Sequence, residues 1–211
     1  MKARSDKMIT TIYLMRHSIP FKEHKGITNT NETILIENEK TPLSIAGEKL
    51  AEEKSLQEEF KNLDIVYSSN YVRAMATAKY FASVNNLKVN IDEVFNERIH
   101  GVDSWSDLPQ EFELKQFNDE DFKIEYGESQ KEVQTRMYNG LMKILNENKG
   151  KRIAIISHST AIAFLLKKWC EVFYDKEYTF NNKAFFNGKW EHLQSFKLEF
   201  KDNELINIEV V

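Results

Sequence analysis

The sequence has little cysteine, proline or glycine, and each shortage excludes a class of protein. Cys170 is the only cysteine among 211 residues, so no disulfide can form within the chain. That is typical of proteins in a reducing compartment. Three prolines and seven glycines are spread along the chain, which leaves no linker, repeat or low-complexity tract. We therefore expect a single domain over residues 1–211.

Long hydrophobic runs and a positive net charge are also missing. A membrane-spanning helix needs roughly 18 or more apolar residues in succession, and the best candidate, IAIISHSTAIAFLL, is interrupted by the polar segment 157–160. No secretory signal is visible, because Arg16 and His17 break the apolar run near the start. The net charge of −4 argues against general nucleic-acid binding. These absences predict a cytoplasmic protein without nucleic-acid or membrane partners.

Apolar periodicity predicts strands that alternate with helices along most of the chain. Strands are predicted for 10–15, 63–69, 87–92 and 151–157, and helices for 44–60, 71–84, 127–148 and 160–170. Period-two alternation on both sides of Asp202 and Asn203 indicates a C-terminal hairpin. This order is typical of an α/β fold, a three-layer α/β/α sandwich with a mostly parallel central sheet.

Two of the predicted helices carry specific packing patterns. The first has Ser44 as a candidate N-cap, followed by a partial apolar stripe of Ala46, Leu50, Ala51 and Leu56. The long helix over 127–148 has an apolar side formed by Val133, Met137, Leu141 and either Ile144 or Leu145. We expect these apolar sides to pack against the sheet.

Three predicted strands end in polar segments with related chemistry, namely RHS at 16–18, SSNYVRA at 68–74 and SHST at 157–160. In a parallel sheet the working groups lie beyond the carboxyl ends of the strands, so we expect these segments to share one site. The guanidinium groups of Arg16 and Arg73 offer forked donors that match phosphate oxygens. A neutral imidazole between such cations is a competent nucleophile. The sequence therefore predicts a phosphate pocket with a reactive histidine.

A phosphate pocket also needs room for an oxyanion and an acid for the leaving oxygen. Ser18 and Ser159 are small neighbours of the two strand-end histidines, and we include both among the substrate-binding residues. Helices that begin after 68 and after 159 are expected to point N–H groups at the anion. Glu97, in the segment NERIHG, is the candidate acid. The alternatives to Glu97 are Glu93, Asp103 and Glu111.

At this point a family resemblance becomes specific. YLMRHS resembles the nucleophile motif of the histidine phosphatase superfamily, which includes the phosphoglycerate mutase-like enzymes. Further segments follow in that family's order: TPLSIAGEKLAEE, DIVYSSNYVRAMATAKYF, NERIHG, GES…R and IAIISHSTAIAFLL. Any one motif is weak, but the ordered set spans residues 10–166 and is highly specific.

The resemblance implies a catalytic role for each residue of the set. His17 is implied as the nucleophile that becomes phosphohistidine, and Glu97 as the proton donor that later activates water. Arg16, Arg73 and His158 are implied to bind the phosphoryl group and to stabilise its charge. The family's chemistry implies no metal and no cofactor.

From this resemblance we expect an enzyme of the histidine acid phosphatase type that hydrolyses a phosphomonoester of a small molecule. Mutase-type members carry serine or threonine and then asparagine shortly after the nucleophile, whereas this chain has Pro20 and Glu23. The segment 97–127 is also short, about thirty residues, which favours water access and hydrolysis. Phosphoglycerate mutase-type transfer and a non-catalytic phospholigand-binding module are the alternatives.

Substrate choice is expected to depend on two lid segments, 19–40 and 99–126. For four residues of these segments the sequence does not predict whether they contact the substrate. These residues are His24, His100, Lys22 and Lys25. His192 is interpreted as a surface or lid residue, and Arg98 and Arg136 as ion-pair formers. The oligomeric state is not predicted, and a homodimer is one alternative.

Overall fold

The computed structural model describes residues 8–21 and 33–211 of the chain. Strands β1 to β8 span Ile9–Arg16, Ile65–Ser68, Val89–Ile91, Arg152–Ser157, Tyr178–Phe180, Lys183–Phe186, Ser195–Lys201 and Glu204–Val210. Helices α1 to α6 span Ile34–Lys40, Ile45–Ser55, Val72–Val84, Phe112–Asn118, Gln130–Glu147 and Ser159–Leu166. Within these two ranges, no helix combines the length and the apolar character that a membrane crossing requires.

The central sheet has six strands in the order β3-β2-β4-β1-β7-β8. Strands β3, β2, β4 and β1 run parallel to one another. Strand β7 pairs antiparallel with β1, and β8 continues antiparallel from β7. The predicted mostly parallel sheet is therefore confirmed. Strands β5 and β6 form a separate two-stranded hairpin.

Strand β1 shows how the two faces of the sheet are covered. Successive side chains of a strand point to opposite faces. Ile12 and Leu14 belong to a core that includes apolar residues of α5 and α6. Tyr13 and Met15 belong to a second core that includes residues of α2 and α3. Helices therefore cover both faces, and the three-layer α/β/α architecture is confirmed.

The apolar side predicted for the long helix is confirmed in α5. Val133, Met137 and Leu141 are fully buried, and Ile144 and Leu145 are both nearly so. The helix also begins with a capping box, in which the Ser129 hydroxyl accepts from the backbone N–H of Glu132. The Glu132 carboxylate accepts in return from the Ser129 N–H, so two otherwise unsatisfied donors are bonded.

The stripe predicted for α2 is wrong at two of its positions. Ala46 is exposed and so is Leu56, whereas the helix buries Gly47, Ala51 and Ser55. This side is made of small residues because the helix lies directly against a neighbouring loop. A Cβ atom on Gly47 would lie 2.2 Å from the carbonyl oxygen of Ile19, so only glycine fits.

The ends of α2 show one confirmed and one wrong prediction. Ser44 is the N-cap, since its hydroxyl accepts from the N–H of Gly47 at 3.0 Å. The helix stops at Ser55 rather than at Phe60. A short turn follows instead, which buries the Phe60 ring completely, 5.5 Å from the ring of Tyr13. Burial of this aromatic ring in the core overrides the local helical preference.

The predicted C-terminal hairpin is confirmed. Strands β7 and β8 are joined by Asp202 and Asn203, which have φ values of +50° and +68°. Two left-handed residues in a two-residue loop match the twist of the flanking strands, and aspartate and asparagine tolerate this conformation.

Candidate active site

The site lies where three adjacent parallel strands end. In the register of the sheet, Arg16 at the end of β1 is opposite Ser157 of β4, and Ser68 of β2 is opposite Ile156 of β4. The residues that follow these ends are therefore neighbours. The ring centroids of His17 and His158 are 5.2 Å apart.

Arg73, on the first turn of α3, connects the two histidines. Its Nε donates to Nε2 of His17 at 2.9 Å, and its Nη2 donates to Nδ1 of His158 at 3.2 Å. Its Nη1 donates to the backbone carbonyl oxygen of Asn38 in α1. The guanidinium is nearly buried, and it lies 5.0 Å from the ring centroid of Tyr71. Arg73 thus fixes both imidazoles relative to each other.

The hydrogen bonds of His17 define its tautomer. Nδ1 lies 2.7 Å from the carbonyl oxygen of Ser18, which can only accept, so Nδ1 carries the proton. Nε2 therefore keeps its lone pair, which accepts from Arg73. The ring is 5% exposed, and burial lowers the pKa of His17 well below its ordinary value, with further lowering by the charges of Arg73 and Arg16. The structure thus holds a neutral imidazole whose unprotonated Nε2 is bonded to Arg73.

The second imidazole is held in the opposite tautomer. Nδ1 of His158 accepts from Arg73, so its proton is on Nε2, which lies 2.8 Å from the hydroxyl oxygen of Ser69. The ring is fully buried, and burial together with Arg73 lowers the pKa of His158 as well. Its ring centroid lies 4.8 Å from that of Tyr71. His158 is therefore a rigid neutral group beside His17.

Arg16 approaches the site from β1. Its Nη1 donates to the carbonyl oxygens of Trp190 at 3.2 Å and Glu191 at 3.4 Å. Burial lowers the pKa of Arg16, and the negative charge of Glu97 opposes that effect. Its Nε is buried and has no hydrogen-bond partner among the described residues. Arg16 therefore has a donor available beside the two histidines.

Glu97 lies in the loop after β3, at the N-terminus of α6. Its Oε1 accepts from the N–H of Ala161 at 2.9 Å and from that of Arg98 at 2.9 Å, and its Oε2 lies 3.4 Å from the N–H of Thr160. The anion that this helix end holds is thus a side chain of the protein itself. Its charge acts on both Arg16 and Arg73, which places the carboxylate close to both cations.

The three alternative acids do not share that position. Glu93, Asp103 and Glu111 are all exposed. The Glu93 carboxylate accepts from the side-chain amide of Asn70 at 3.3 Å. None of these three charges is among those that shift Arg16, Arg73 or the two buried histidines. The geometry favours Glu97.

Arg136 holds the loop that carries Glu97. Its guanidinium binds the carboxylate of Glu128 with two hydrogen bonds, of 2.7 and 2.9 Å. It also donates to the carbonyl oxygens of Val94, Asn96 and Glu97. The ion-pair interpretation of Arg136 is confirmed, and Arg98 likewise pairs with Glu113.

The two serines of the predicted substrate-binding set lie in different surroundings. Ser18 is fully buried, its hydroxyl donates to the carbonyl of Gly47 at 2.8 Å, and its N–H donates to Thr77 at 3.0 Å. What Ser18 offers the site is the carbonyl that orients His17. Ser159 is half-buried at the start of α6 and lines a cavity of about 320 Å³ with Trp190. Substrate binding by either serine stays a prediction.

Several site residues were not found by sequence reasoning. Ser69 was not among the predicted site residues, yet its hydroxyl is the partner of His158. Tyr71 contacts both Arg73 and His158, and the Asn38 carbonyl accepts from Arg73. Ser69 and Tyr71 both lie in the segment SSNYVRA, close to Arg73. Their closeness to that arginine in the sequence is a signal that could have identified them as site residues. A backbone carbonyl such as that of Asn38 has no sequence signal.

The open positions of the lid segments divide into two groups. Lys22, His24 and Lys25 lie outside the described residues. His100 is 9% exposed and lines a cavity of about 490 Å³ beside the site. His192 is half-buried, and its charge acts on His17, so it lies near that ring.

The charge balance of the site suits an anion. The guanidinium of Arg73 donates to both neutral imidazoles, and the charge of Arg16 also acts on them. The carboxylate of Glu97 acts on both cations. In the part of the chain that the structure describes, no group of three or more His, Cys, Asp or Glu side chains is placed to hold a metal ion. A phosphoryl group matches the forked donors of arginine.

Comparison with solved structures identifies the fold. A mycobacterial glucosyl-3-phosphoglycerate phosphatase superposes with a TM-score of 0.66 at 17% identity, covering 96% of this chain and 97% of that chain. Phosphoserine phosphatase from Entamoeba histolytica, solved with 3-phosphoglyceric acid, gives a TM-score of 0.65 at 18% identity, covering 96% of this chain and 98% of that chain. At these identities the likeness shows a shared fold. No curated protein matches the sequence.

The family is shown by the sequence itself. The model of the histidine phosphatase superfamily, branch 1, matches residues 12–197, which is most of the chain. The chain belongs to this superfamily. The resemblance inferred from the ordered motifs is thereby confirmed.

Proposed function

We propose that the protein is a phosphatase that hydrolyses a phosphomonoester of a small molecule through a phosphohistidine intermediate on His17. One observation carries the proposal. Nε2 of His17 is an unprotonated, buried nitrogen, fixed by the Nδ1 hydrogen bond to Ser18 and directed at the guanidinium of Arg73. A lone pair next to phosphate-binding donors is what attack on phosphorus requires.

In the first step, Nε2 of His17 forms a bond to phosphorus while the bond from phosphorus to the ester oxygen breaks. That oxygen takes a proton from Glu97, which must enter this step as the carboxylic acid, and departs as an alcohol. In the second step, water attacks phosphorus and gives a proton to Glu97, and the N–P bond breaks. Inorganic phosphate leaves, and both side chains return to their starting forms.

The cationic groups stabilise charge on the transferring phosphoryl group. Arg73 already donates to both imidazoles, so its donors face the place where the phosphoryl oxygens would lie. Arg16 supplies a second guanidinium with an available Nε. Preformed donors in a buried site need little reorganisation during the reaction. His158 can donate to the phosphoryl group only in its other tautomer, with the proton on Nδ1, after Arg73 turns from Nδ1 toward the ligand.

Hydrolysis is favoured over transfer to a second substrate. The chain lacks the mutase pattern after the nucleophile, and Pro20 instead forms an isolated bridge with Leu43. The two structures compared above are both named as phosphatases. These observations support release of phosphate to water.

The test is the release of phosphate from 4-nitrophenyl phosphate in excess chelator. We expect turnover by the wild type, loss of at least a thousandfold in His17→Ala, and radioactive phosphohistidine trapped from labelled substrate. The surface variant Lys61→Ala serves as the control, since Lys61 precedes β2 at the opposite end of the sheet and pairs with Glu58. Turnover that survives in His17→Ala contradicts the mechanism. In a parallel incubation with a phosphoglycerate, an isomerised product would indicate a mutase. Binding of phosphate without any turnover would indicate a binding module.

A further inference from the structure

The cavity of about 490 Å³ adjoins the phosphate site directly. Two of the residues that line it also contact the catalytic arginine. The Asn38 carbonyl accepts from Arg73, and the Tyr71 ring lies against both Arg73 and His158. A group attached to a phosphate on Arg73 therefore has this cavity as a neighbouring space.

Most of the cavity wall is apolar. Helix α1 contributes Ile34 and Leu35, the segment after Glu97 contributes Ile99 and Val102, and Tyr126 adds an aromatic side chain. Asp103 and Asp107 also line the cavity, but both are exposed, so water screens their charges. The wall suits an apolar body of modest size.

Arg98 interrupts this apolar wall with buried hydrogen-bond donors. Its side chain is 3% exposed, and its Nη2 bonds both the carboxylate of Glu113 and Nε2 of His100. Its Nε and Nη1 are buried without a hydrogen-bond partner among residues 8–21 and 33–211. Unpartnered buried donors on a charged group are rare and unfavourable, and an added acceptor relieves that cost.

His100 lines the same cavity and has a ring N–H. Its Nε2 accepts from Arg98, so its proton is on Nδ1. The ring is held between Trp105, with centroids 5.0 Å apart, and Phe112, with centroids 5.9 Å apart. Of the polar residues that line the cavity, the buried Arg98 and His100 thus both carry donors, and Arg98 is positively charged.

We propose that this cavity binds the leaving group of the phosphomonoester, and that this leaving group has an apolar body ending in a carboxylate bonded by Arg98. The inference rests on the proposed function and names its substrate class. Arg98 then acts as a specificity residue, which receives the carboxylate on the donors that Glu113 does not use. Carboxylate and guanidinium match in geometry and charge.

The test compares matched pairs of aryl phosphates, in which a ring substituent ends in a carboxylate or in the corresponding neutral carboxamide. The measured quantity is the ratio of kcat/KM for the two members of each pair. For at least one chain length, we expect the wild type to favour the carboxylate by about tenfold or more. In Arg98→Met the ratio should fall towards one. The control is Arg152→Met. Arg152 is the first residue of β4 and lies at the end of the sheet opposite the site, so this variant should keep the wild-type ratio.

A second variant covers the case in which Arg98→Met does not fold. Glu113→Gln retains Arg98 but removes its ion-pair partner, so the carboxylate preference should rise. A wild-type ratio near one for every pair overturns the inference while phosphatase activity stands. A preference that persists in Arg98→Met, or that is unchanged in Glu113→Gln, overturns the assignment to Arg98.

Binding separates failure of this inference from failure of the proposed function. If no aryl phosphate is hydrolysed, the proposed function fails. Calorimetry with non-hydrolysable phosphonates of the same pairs then decides the substrate class. Tighter binding of the carboxylate member that is lost in Arg98→Met supports the inference, and equal binding of both members overturns it.

Discussion

Replacing His100 with phenylalanine should change how the stability of the protein depends on pH. The ring is 9% exposed, and burial together with the charge of Arg98 lowers the pKa of His100 from 6.5 to about 4. Between these two pH values the unfolded chain binds a proton that the folded protein does not. The free energy of unfolding therefore falls as the pH is lowered through this window, and is retained above it.

The size of the effect follows from the shift. For a single group with a pKa of 6.5 unfolded and about 4 folded, lowering the pH from 7.5 to 5.0 costs about 2 kcal/mol of unfolding free energy. In a chain of this length that corresponds to roughly 4–8 °C of melting temperature. His100→Phe keeps an aromatic ring against Trp105 and Phe112 but removes the group that binds the proton. The variant should therefore not lose this part of its unfolding free energy when the pH is lowered.

The assay is urea unfolding followed by tryptophan fluorescence at both pH values, for wild type and His100→Phe. His17 and His158 also have lowered pKa values, so both proteins lose further stability in acid. That common loss cancels when the two pH dependences are subtracted. We expect the wild type to lose about 2 kcal/mol more than the variant. Equal losses would refute the reasoning, because His100 would then titrate alike in folded and unfolded chains.

Three further predictions test the site and its frame. Ser69→Ala removes the acceptor for the buried Nε2 proton of His158, and should lower the unfolding free energy by about 1–3 kcal/mol in urea titrations; an unchanged value would contradict that bond. Gly47→Ala places a Cβ atom 2.2 Å from the Ile19 carbonyl, so the melting temperature and kcat should both fall. The limb of kcat/KM that reports protonation of His17 should lie below pH 6.5, since its pKa is lowered from that value; a limb above pH 7 would show that the imidazole is not held neutral.

The sequence predicted the parts of the fold and site that depend on local pattern. Strand ends can be recognised because an apolar run stops, and parallel strands bring such ends together. This reasoning placed His17, Arg73 and His158 in one site, and the structure brings them within hydrogen-bonding distance. The C-terminal hairpin was equally local, because Asp202 and Asn203 tolerate a left-handed turn.

The parts that could not be predicted depend on contacts between distant segments. Helix α1 has seven residues, with only Ile34 buried, so its periodicity is too short to detect. The buried side of α2 is made of small residues around Gly47, which a search for large apolar residues overlooks. The cavity beside Arg98 is lined by residues of α1 and of the loop after Glu97. These two segments are far apart in the sequence, and nothing in their spacing predicts that they lie side by side.

The bonding of Arg73 has a consequence for the release of product. Each of its three nitrogens already has a protein acceptor, namely His17, His158 and the Asn38 carbonyl. A phosphoryl group gains only the difference between its own bonds and those it displaces. If the protein is the phosphatase proposed above, the imidazole lone pairs compete with inorganic phosphate for the donors of Arg73, and inhibition by this product is weakened.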